Sequence, residues 1–256
     1  MNTHFPQELT GQSDEGCGHC RIDLDFEFTF AYQPIVDVRA GSVYGYEALV
    51  RGPGETSAAN VLARVTDANR YAFDQACRTG AIRLAHALGL TSRLSINFLP
   101  NAVYRPELCI RSTLAAASEA GFPSERIMFE ITESEEVTDP EHLTGIINDY
   151  QSRGFITALD DFGSGHAGLN LLARFQPDLI KLDMGLVRDI HENRRRQVIA
   201  EGLLTICREL GITVLAEGIE YPEEAAWFAE RGVALMQGYY FARPGYETLP
   251  EPRLTL

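Results

Sequence analysis

Positive charge is scarce in this chain. Its 256 residues carry 22 Lys+Arg against 36 Asp+Glu, a formal net charge of −14 at pH 7. So acidic a balance speaks against broad binding to nucleic-acid polymers or anionic membranes. A local anion site can still form where metal ions supply the positive charge. Long apolar runs are missing too. No segment approaches the ~20 apolar residues of a membrane span. The opening "MNTHFPQELTGQSDEG" lacks the basic and apolar blocks of a signal peptide. The expected compartment is the cytoplasm. Cysteine is sparse, at five residues. Cys77, Cys109 and Cys207 lie in apolar contexts and read as small core residues. Cys17 and Cys20 form "CGHC" around His19. A zinc site wants four ligands, and no second CxxC supplies them. No internal linker, low-complexity tract or obvious repeat is present.

What remains is an ordinary globular composition, 45% hydrophobic and 23% charged. The length fits one large domain or two small ones, and ~250 residues is the usual size of a (β/α)8 barrel. Residues 1–25 are polar and read as a flexible tail, with the domain over 26–256. "FTFAYQPIVDV" (28–38) and "SVYGYEALVRG" (42–52) are β-rich runs joined by a turn at Ala40-Gly41, the pattern of a hairpin. Helical patterns follow at 57–68 and 70–88. Strand candidates at 93–99, 126–132, 156–161, 178–183, 213–219 and 233–241 then alternate with helical patterns near 107–120, 140–153, 168–174, 191–210 and 221–231. Alternation of this kind implies parallel pairing. Polar residues recur at many strand ends rather than at one crevice, so a closed TIM-like α/β barrel fits better than an open sheet.

The strand ends carry Glu47, Asn97, Glu130, the pair Asp160-Asp161, Lys181, Glu217 and Gln237. Each sits in apolar sequence, as in "YEALV", "MFEIT" and "LIKLD". One buried charge could be a structural ion pair, such as Lys181 with Asp183. A set at the same end of nearly every strand converges on one mouth, where barrel enzymes do chemistry. The donors are oxygens, with no His or Cys among them. That favours Mg²⁺ or Mn²⁺ over zinc. Five carboxylates exceed the needs of one such ion, so two cations are the better match, and paired metals suit attack on a phosphate ester. Adjacent Asp160 and Asp161 would point to opposite faces of a continuing strand. They share a site if the chain turns there, and Gly163 and Gly165 permit a turn.

The ordered motifs "QPIV…YEALVRG…SINFLP…FEITES…LDDFGSG…IKLD…LAEGIE…QGYYFARP" resemble the EAL-domain cyclic di-GMP phosphodiesterases over roughly residues 28–245. The resemblance implies a modified (β/α)8 barrel with one antiparallel strand. It implies hydrolysis of cyclic di-GMP to linear pGpG with two divalent cations, Mg²⁺ or Mn²⁺. Carried over by motif, Glu47, Asn97, Glu130 and Asp160 look like ligands of one metal, and Asp161 and Glu217 of the second, with Asp160 bridging. Lys181 is similar to the lysine that contacts the attacking water. Glu217 matches the proposed general base, and whether it acts as base or as ligand stays open. Glu133 resembles the glutamate that steadies the Asp-Asp loop. Arg51 looks like the substrate-phosphate contact. Leu49 of the EAL triplet, Gln33 and Gln237 match positions around the substrate. The family often forms homodimers through the loop and helix after Asp161. There "HAG" (His166 to Gly168) departs from the common pattern, which puts dimer geometry and regulation in question more than catalysis.

Three other readings compete. A non-catalytic EAL domain could serve as a cyclic di-GMP receptor or protein-interaction module, yet every ligand position is filled. "DFG" also marks a kinase magnesium loop, but no GxGxxGxV or HRD segment accompanies it. An unrelated sugar-phosphate barrel would share the architecture alone.

Overall fold

The computed structural model of the chain describes residues 23–103, 105–132, 139–165 and 168–256. The tail up to residue 22 with its CGHC pair, Glu133, and His166 with Ala167 lie outside them.

The expected hairpin is present. Thr29–Asp37 (β1) and Ser42–Arg51 (β2) pair antiparallel. Asp37 Oδ1 makes the reversal by accepting the N–H groups of Arg39 (3.0 Å) and Ala40 (2.9 Å). Two helices follow, Ala58–Leu62 (α1) and Arg70–Ala87 (α2). The first is shorter than its hydrophobic pattern suggests. Asn69 Oδ1 accepts the Thr66 N–H at 2.7 Å, and such a side chain offers the backbone an alternative to helix.

From there strands and helices alternate. They run Arg93–Asn97 (β3), Pro106–Cys109 (α3), Arg111–Glu119 (α4), Ile127–Thr132 (β4) and Pro140–Ser152 (α5). Ile156–Phe162 (β5), Gly168–Leu172 (α6), Leu179–Leu182 (β6), Met184–Val187 (α7) and Arg194–Leu210 (α8) come next. Thr213–Ala216 (β7), Pro222–Glu230 (α9), Leu235–Met236 (β8) and Gly245–Tyr246 (β9) complete the order. The pattern at 107–120 divides at Ile110 into α3 and α4. Helix α8 begins at 194 rather than 191 because Asn193 Oδ1 caps the N–H groups of Arg195 (3.1 Å) and Arg196 (3.2 Å).

The sheet order β2-β3-β4-β5-β6-β7-β8-β1, with β1 also paired to β2, closes an eight-strand barrel. Strand β1 is antiparallel to both neighbours, and β9 adds outside it. The run expected as a strand over 233–241 holds strand form for two residues. Beyond it the chain tucks over the β7 loop, where an added Cβ on Gly238 would lie 2.1 Å from Ile219 O.

Strand alternation builds the interior in two layers. Ile35, Met128, Ala158, Leu179, Leu215 and Leu235 form one buried apolar cluster, the barrel floor. Two residues along each strand, toward the mouth, stand Gln33, Glu130, Asp160, Lys181, Glu217 and Gln237. The intervening residues, such as Phe129, Leu159 and Ile180, face outward into the larger core under the helices.

Candidate active site

The polar layer converges on Lys181, the only lysine in the sequence. Its Nζ lies 2.7 Å from Glu130 Oε2, 2.7 Å from Glu217 Oε1, 3.1 Å from Asp160 Oδ1 and 3.4 Å from Glu47 Oε2. The alternative of a simple pair with Asp183 is not what forms. Asp183 instead caps α7, its Oδ1 accepting the Gly185 N–H at 2.8 Å. Amides complete the ring. Asn97 Nδ2 donates to Glu47 Oε1 at 3.1 Å, and Gln237 Nε2 donates to Glu47 Oε2 at 2.8 Å. Gln33 pairs with Glu47 in the hairpin register and lies 3.3 Å from Gln237 Nε2.

Asp160 and Asp161 do reach the same site, by a route the sequence did not show. Asp161 itself takes a left-handed φ of 52°, and the β5–β6 register shifts between Leu159 and Phe162. A bulge of this kind re-aims a side chain without ending the strand. Gly163 then allows the loop to close: at φ 97°, an added Cβ would stand 2.6 Å from Leu186 Cδ1.

Two groups of acids could each hold a cation: Glu47, Glu130 and Asp160, and Asp160, Asp161 and Glu217. Asp160 belongs to both. Four carboxylates around one ammonium cannot all be ionised cheaply. Burial, then the Glu47 charge, pushes Glu130 well above the usual carboxylate range. Burial, then Asp160, does the same to Glu217. Burial, with Asp160 next, pushes Asp161 up to about 6. Burial alone would lower Lys181, but the surrounding acids, Asp160 first, hold it above its ordinary value. Burial leads each carboxyl shift and the neighbouring acids add to it, and a divalent ion would offset both by favouring the ionised forms.

The mouth encloses about 280 Å³ lined by Gln33, Glu47, Asp160, Asp161, Lys181, Glu217 and Gln237, with Asp183, Met184, Glu220 and Tyr239 at its rim. Leu49 and Arg51 line a neighbouring cavity of about 320 Å³ with Asn97 and the apolar side chains of Phe30, Leu62, Phe73 and Phe98. Asn97 joins the two through its bond to Glu47. Arg51 Nη1 donates to Val50 O at 2.7 Å.

Sequence reasoning passed over Ser95. It sits two residues before Asn97, fully buried, and its hydroxyl donates to Glu130 Oε1. With Oε2 on Lys181, both oxygens of a carboxylate without solvent contact are held. Ser95→Ala leaves Oε1 unsatisfied, a loss of about 1–3 kcal/mol. A lower unfolding temperature for Ser95→Ala, with Ser95→Thr near wild type, is the expected outcome. In "SIN" the hydroxyl stands two residues before Asn97 on the same strand face, but the strand alone does not show its partner.

The EAL domain family profile matches residues 22–244. The chain is 31% identical to the blue light- and temperature-regulated antirepressor BluF of Escherichia coli, over 93% of this chain and 59% of that protein. It is 32% identical to the probable cyclic di-GMP phosphodiesterase PdeN of E. coli, over 85% of this chain and 43% of that protein. It thus spans about half the length of these curated relatives. A standalone versatile EAL protein from Vibrio cholerae O395, in its c-di-GMP-bound form, superposes with TM-score 0.88 at 57% identity, over 90% of this chain and 97% of that one. Klebsiella pneumoniae BlrP1, in a manganese and cyclic di-GMP complex, gives TM-score 0.81 at 36% identity, over 94% and 58%.

Proposed function

Because the chain belongs to the EAL domain family, we propose that its barrel mouth hydrolyses cyclic di-GMP to linear pGpG. The observation that carries this reading is the pair of acid groups sharing Asp160 around one buried lysine. The donor set fits hard divalent cations, for it offers five carboxylates and the Asn97 amide, with no nitrogen or sulfur ligand. Glu47, Asn97, Glu130 and Asp160 would hold one ion, and Asp160, Asp161 and Glu217 the second. Bound there, Mg²⁺ or Mn²⁺ would neutralise the phosphodiester and lower the pKa of water.

The protein's own groups do the rest. Lys181 orients the attacking water and stabilises charge that develops on the phosphate. Glu217, raised by its buried acidic setting, accepts a proton from that water. Water adds across one P–O bond of the ring, giving a phosphate monoester at one end and a free hydroxyl at the other. Arg51 contacts phosphate from the second cavity, and Leu49 gives apolar surface to the nucleotide. Gln33 and Gln237 hold the Glu47 side of the ring. Glu133 is assigned to steadying the Asp-Asp loop, by motif alone. A second copy of the chain is the assigned macromolecular partner, through the side of the barrel that follows Asp161. The cytoplasm is the assigned compartment; buried free thiols at Cys77, Cys109 and Cys207 accord with it. No helix among the described residues is long and apolar enough to cross a membrane.

The test is a metal titration of cyclic di-GMP hydrolysis by the chelator-stripped protein, with chromatography of the product. pGpG should form only when Mg²⁺ or Mn²⁺ is restored, and Glu47→Ala should lower the rate by about 10-fold to 100-fold or more. Full turnover by Glu47→Ala, or by the stripped protein, overturns the assignment. The likeness to an antirepressor favours a second reading, binding without hydrolysis. Saturable cyclic di-GMP binding with no pGpG at any metal concentration would select it.

A further inference from the structure

Glu224 is a fully buried carboxyl group that the chemistry above does not use. It stands in the first turn of α9. Its Oε2 accepts the Glu220 N–H at 2.8 Å and the Tyr221 N–H at 3.1 Å. That half is local, the ordinary reach of a Glu or Gln back to the start of its own helix. The other half is not. Oε1 accepts the Asp189 N–H at 2.7 Å, from a residue 35 positions earlier in the chain. Asp189 lies just beyond α7 and takes a left-handed φ of 53°.

Glu224 therefore joins two loops at the barrel mouth, the one after β6 and the one after β7. The loops also touch directly. An added Cβ on Gly218 would stand 2.5 Å from Met184 Cβ, and Arg188 Nη2 meets Glu220 Oε1 at 2.6 Å. The second loop carries Glu217, one residue past the end of β7. Strand pairing does not fix it there, and its N–H reaches Leu182 O at 3.3 Å. Three residues further on, Glu224 grips the same loop at Glu220. Lys181, 2.7 Å from Glu217, lies within β6 itself. The β6 side is thus the fixed side, and the β7 loop is tied to it.

The link between the loops demands two accepting oxygens. A Gln at 224 could still serve the local half, because one oxygen already takes both N–H groups. Toward Asp189 its NH2 would oppose an N–H, donor against donor.

We propose that Glu224 is a positioning residue, tying the β7 loop to the β6 loop so that Glu217 stays in register with Lys181 and Asp160. The proposal rests on the reading of the mouth as a cation site. Outer partners of ligating carboxylates orient them in this way.

The experiment compares Glu224→Gln with wild type. Circular dichroism reports the fold, and calorimetric titration with Mn²⁺ reports cation affinity without substrate. Mn²⁺ should bind about tenfold more weakly to Glu224→Gln, and kcat at saturating Mn²⁺ should fall about tenfold. KM for cyclic di-GMP should stay near wild type, because Arg51 and Leu49 lie on the other side of the mouth. Asp37→Ala is the control for plain loss of stability. It removes two N–H acceptors at the opposite end of the barrel, and should leave Mn²⁺ affinity and kcat unchanged. Amide exchange on wild type needs no variant. By reciprocity, Mg²⁺ should slow exchange at Asp189, Glu220 and Tyr221 together. A folded Glu224→Gln with wild-type Mn²⁺ affinity and kcat overturns the proposal. So do an Asp37→Ala variant that reproduces the losses, and Mg²⁺ that leaves the three amides unchanged. A wild type that binds no divalent cation overturns both this proposal and the phosphodiesterase reading. Weakened Mn²⁺ binding by Glu224→Gln, in a protein that forms no pGpG, supports the positioning role and overturns hydrolysis alone.

Discussion

Lys181→Met is expected to slow cyclic di-GMP turnover severely and, in the chelator-stripped protein, to cost about 3–5 kcal/mol of stability, the usual range for stranding a buried charge. Lys181 is 1% exposed and is the one cation within reach of Glu47, Glu130, Asp160 and Glu217 among the described residues. Methionine keeps the length of the side chain and removes the charge. The rate should fall by about 10²–10³-fold, as when a single preorganised donor is lost. Two readouts separate charge balance from general damage. First, Mn²⁺ should raise the unfolding temperature of the variant more than that of wild type, because the acids then depend on it. Second, the loss should grow with pH. The native-state pKa values of Glu130 and Glu217 lie above their unfolded values. Groups of that kind stabilise the fold below the unfolded value, ~4.3 for Glu. That contribution is lost as pH rises through the folded value. Without the ammonium, the decline toward neutral pH should be steeper. A variant whose stripped form unfolds like wild type across that range would show that Lys181 does not balance these acids.

The second large effect lies away from the chemistry. Arg78→Met should destabilise the fold by about 3–5 kcal/mol. Arg78 Nη2 meets Asp74 Oδ2 at 2.7 Å, with both side chains 1% exposed. Arg78 Nη1 also donates to Cys109 O at 3.3 Å and Thr113 Oγ1 at 3.2 Å, tying α2 to the α3–α4 pair. Asp74 Oδ1 accepts the Leu99 N–H at 2.9 Å, so the same pair fixes the chain leaving β3 just after Asn97. Burial already pushes the Asp74 carboxyl up, and without its guanidinium partner it should titrate higher still. Denaturant unfolding should therefore show Arg78→Met recovering part of its deficit at acid pH, while Arg78→Met/Asp74→Leu recovers much of it at neutral pH. If the double variant is no more stable than the single one, the stranded carboxylate is not the source of the loss.

Neither half of this buried pair was visible beforehand. In "FDQACR" the two charges look like an ordinary i, i+4 pair on a helix surface. Which face of α2 the barrel covers is a matter of packing, and periodicity along one helix does not report it. The same limit applies at Ser95, whose partner stands 35 residues away. It applies also at Asp161, whose left-handed backbone depends on the shifted β5–β6 register.

Other features were legible because they repeat. In "MFE", "ALD", "LIK", "LAE" and "LMQ" an inward apolar residue is followed two places later by an inward polar one. Strand geometry alone places both on one face, and parallel pairing brings each polar residue to the same end. The barrel, its mouth and most members of the acidic set therefore follow from the sequence by itself. Tertiary structure decided the pairings. It chose four carboxylates rather than Asp183 for Lys181, made Asp160 common to two acid groups, and moved Leu49 and Arg51 to a second cavity. A local pattern fixes the direction of a side chain relative to its own strand. Distances between side chains on different strands depend on register, bulges and loop closure, which only the closed barrel sets.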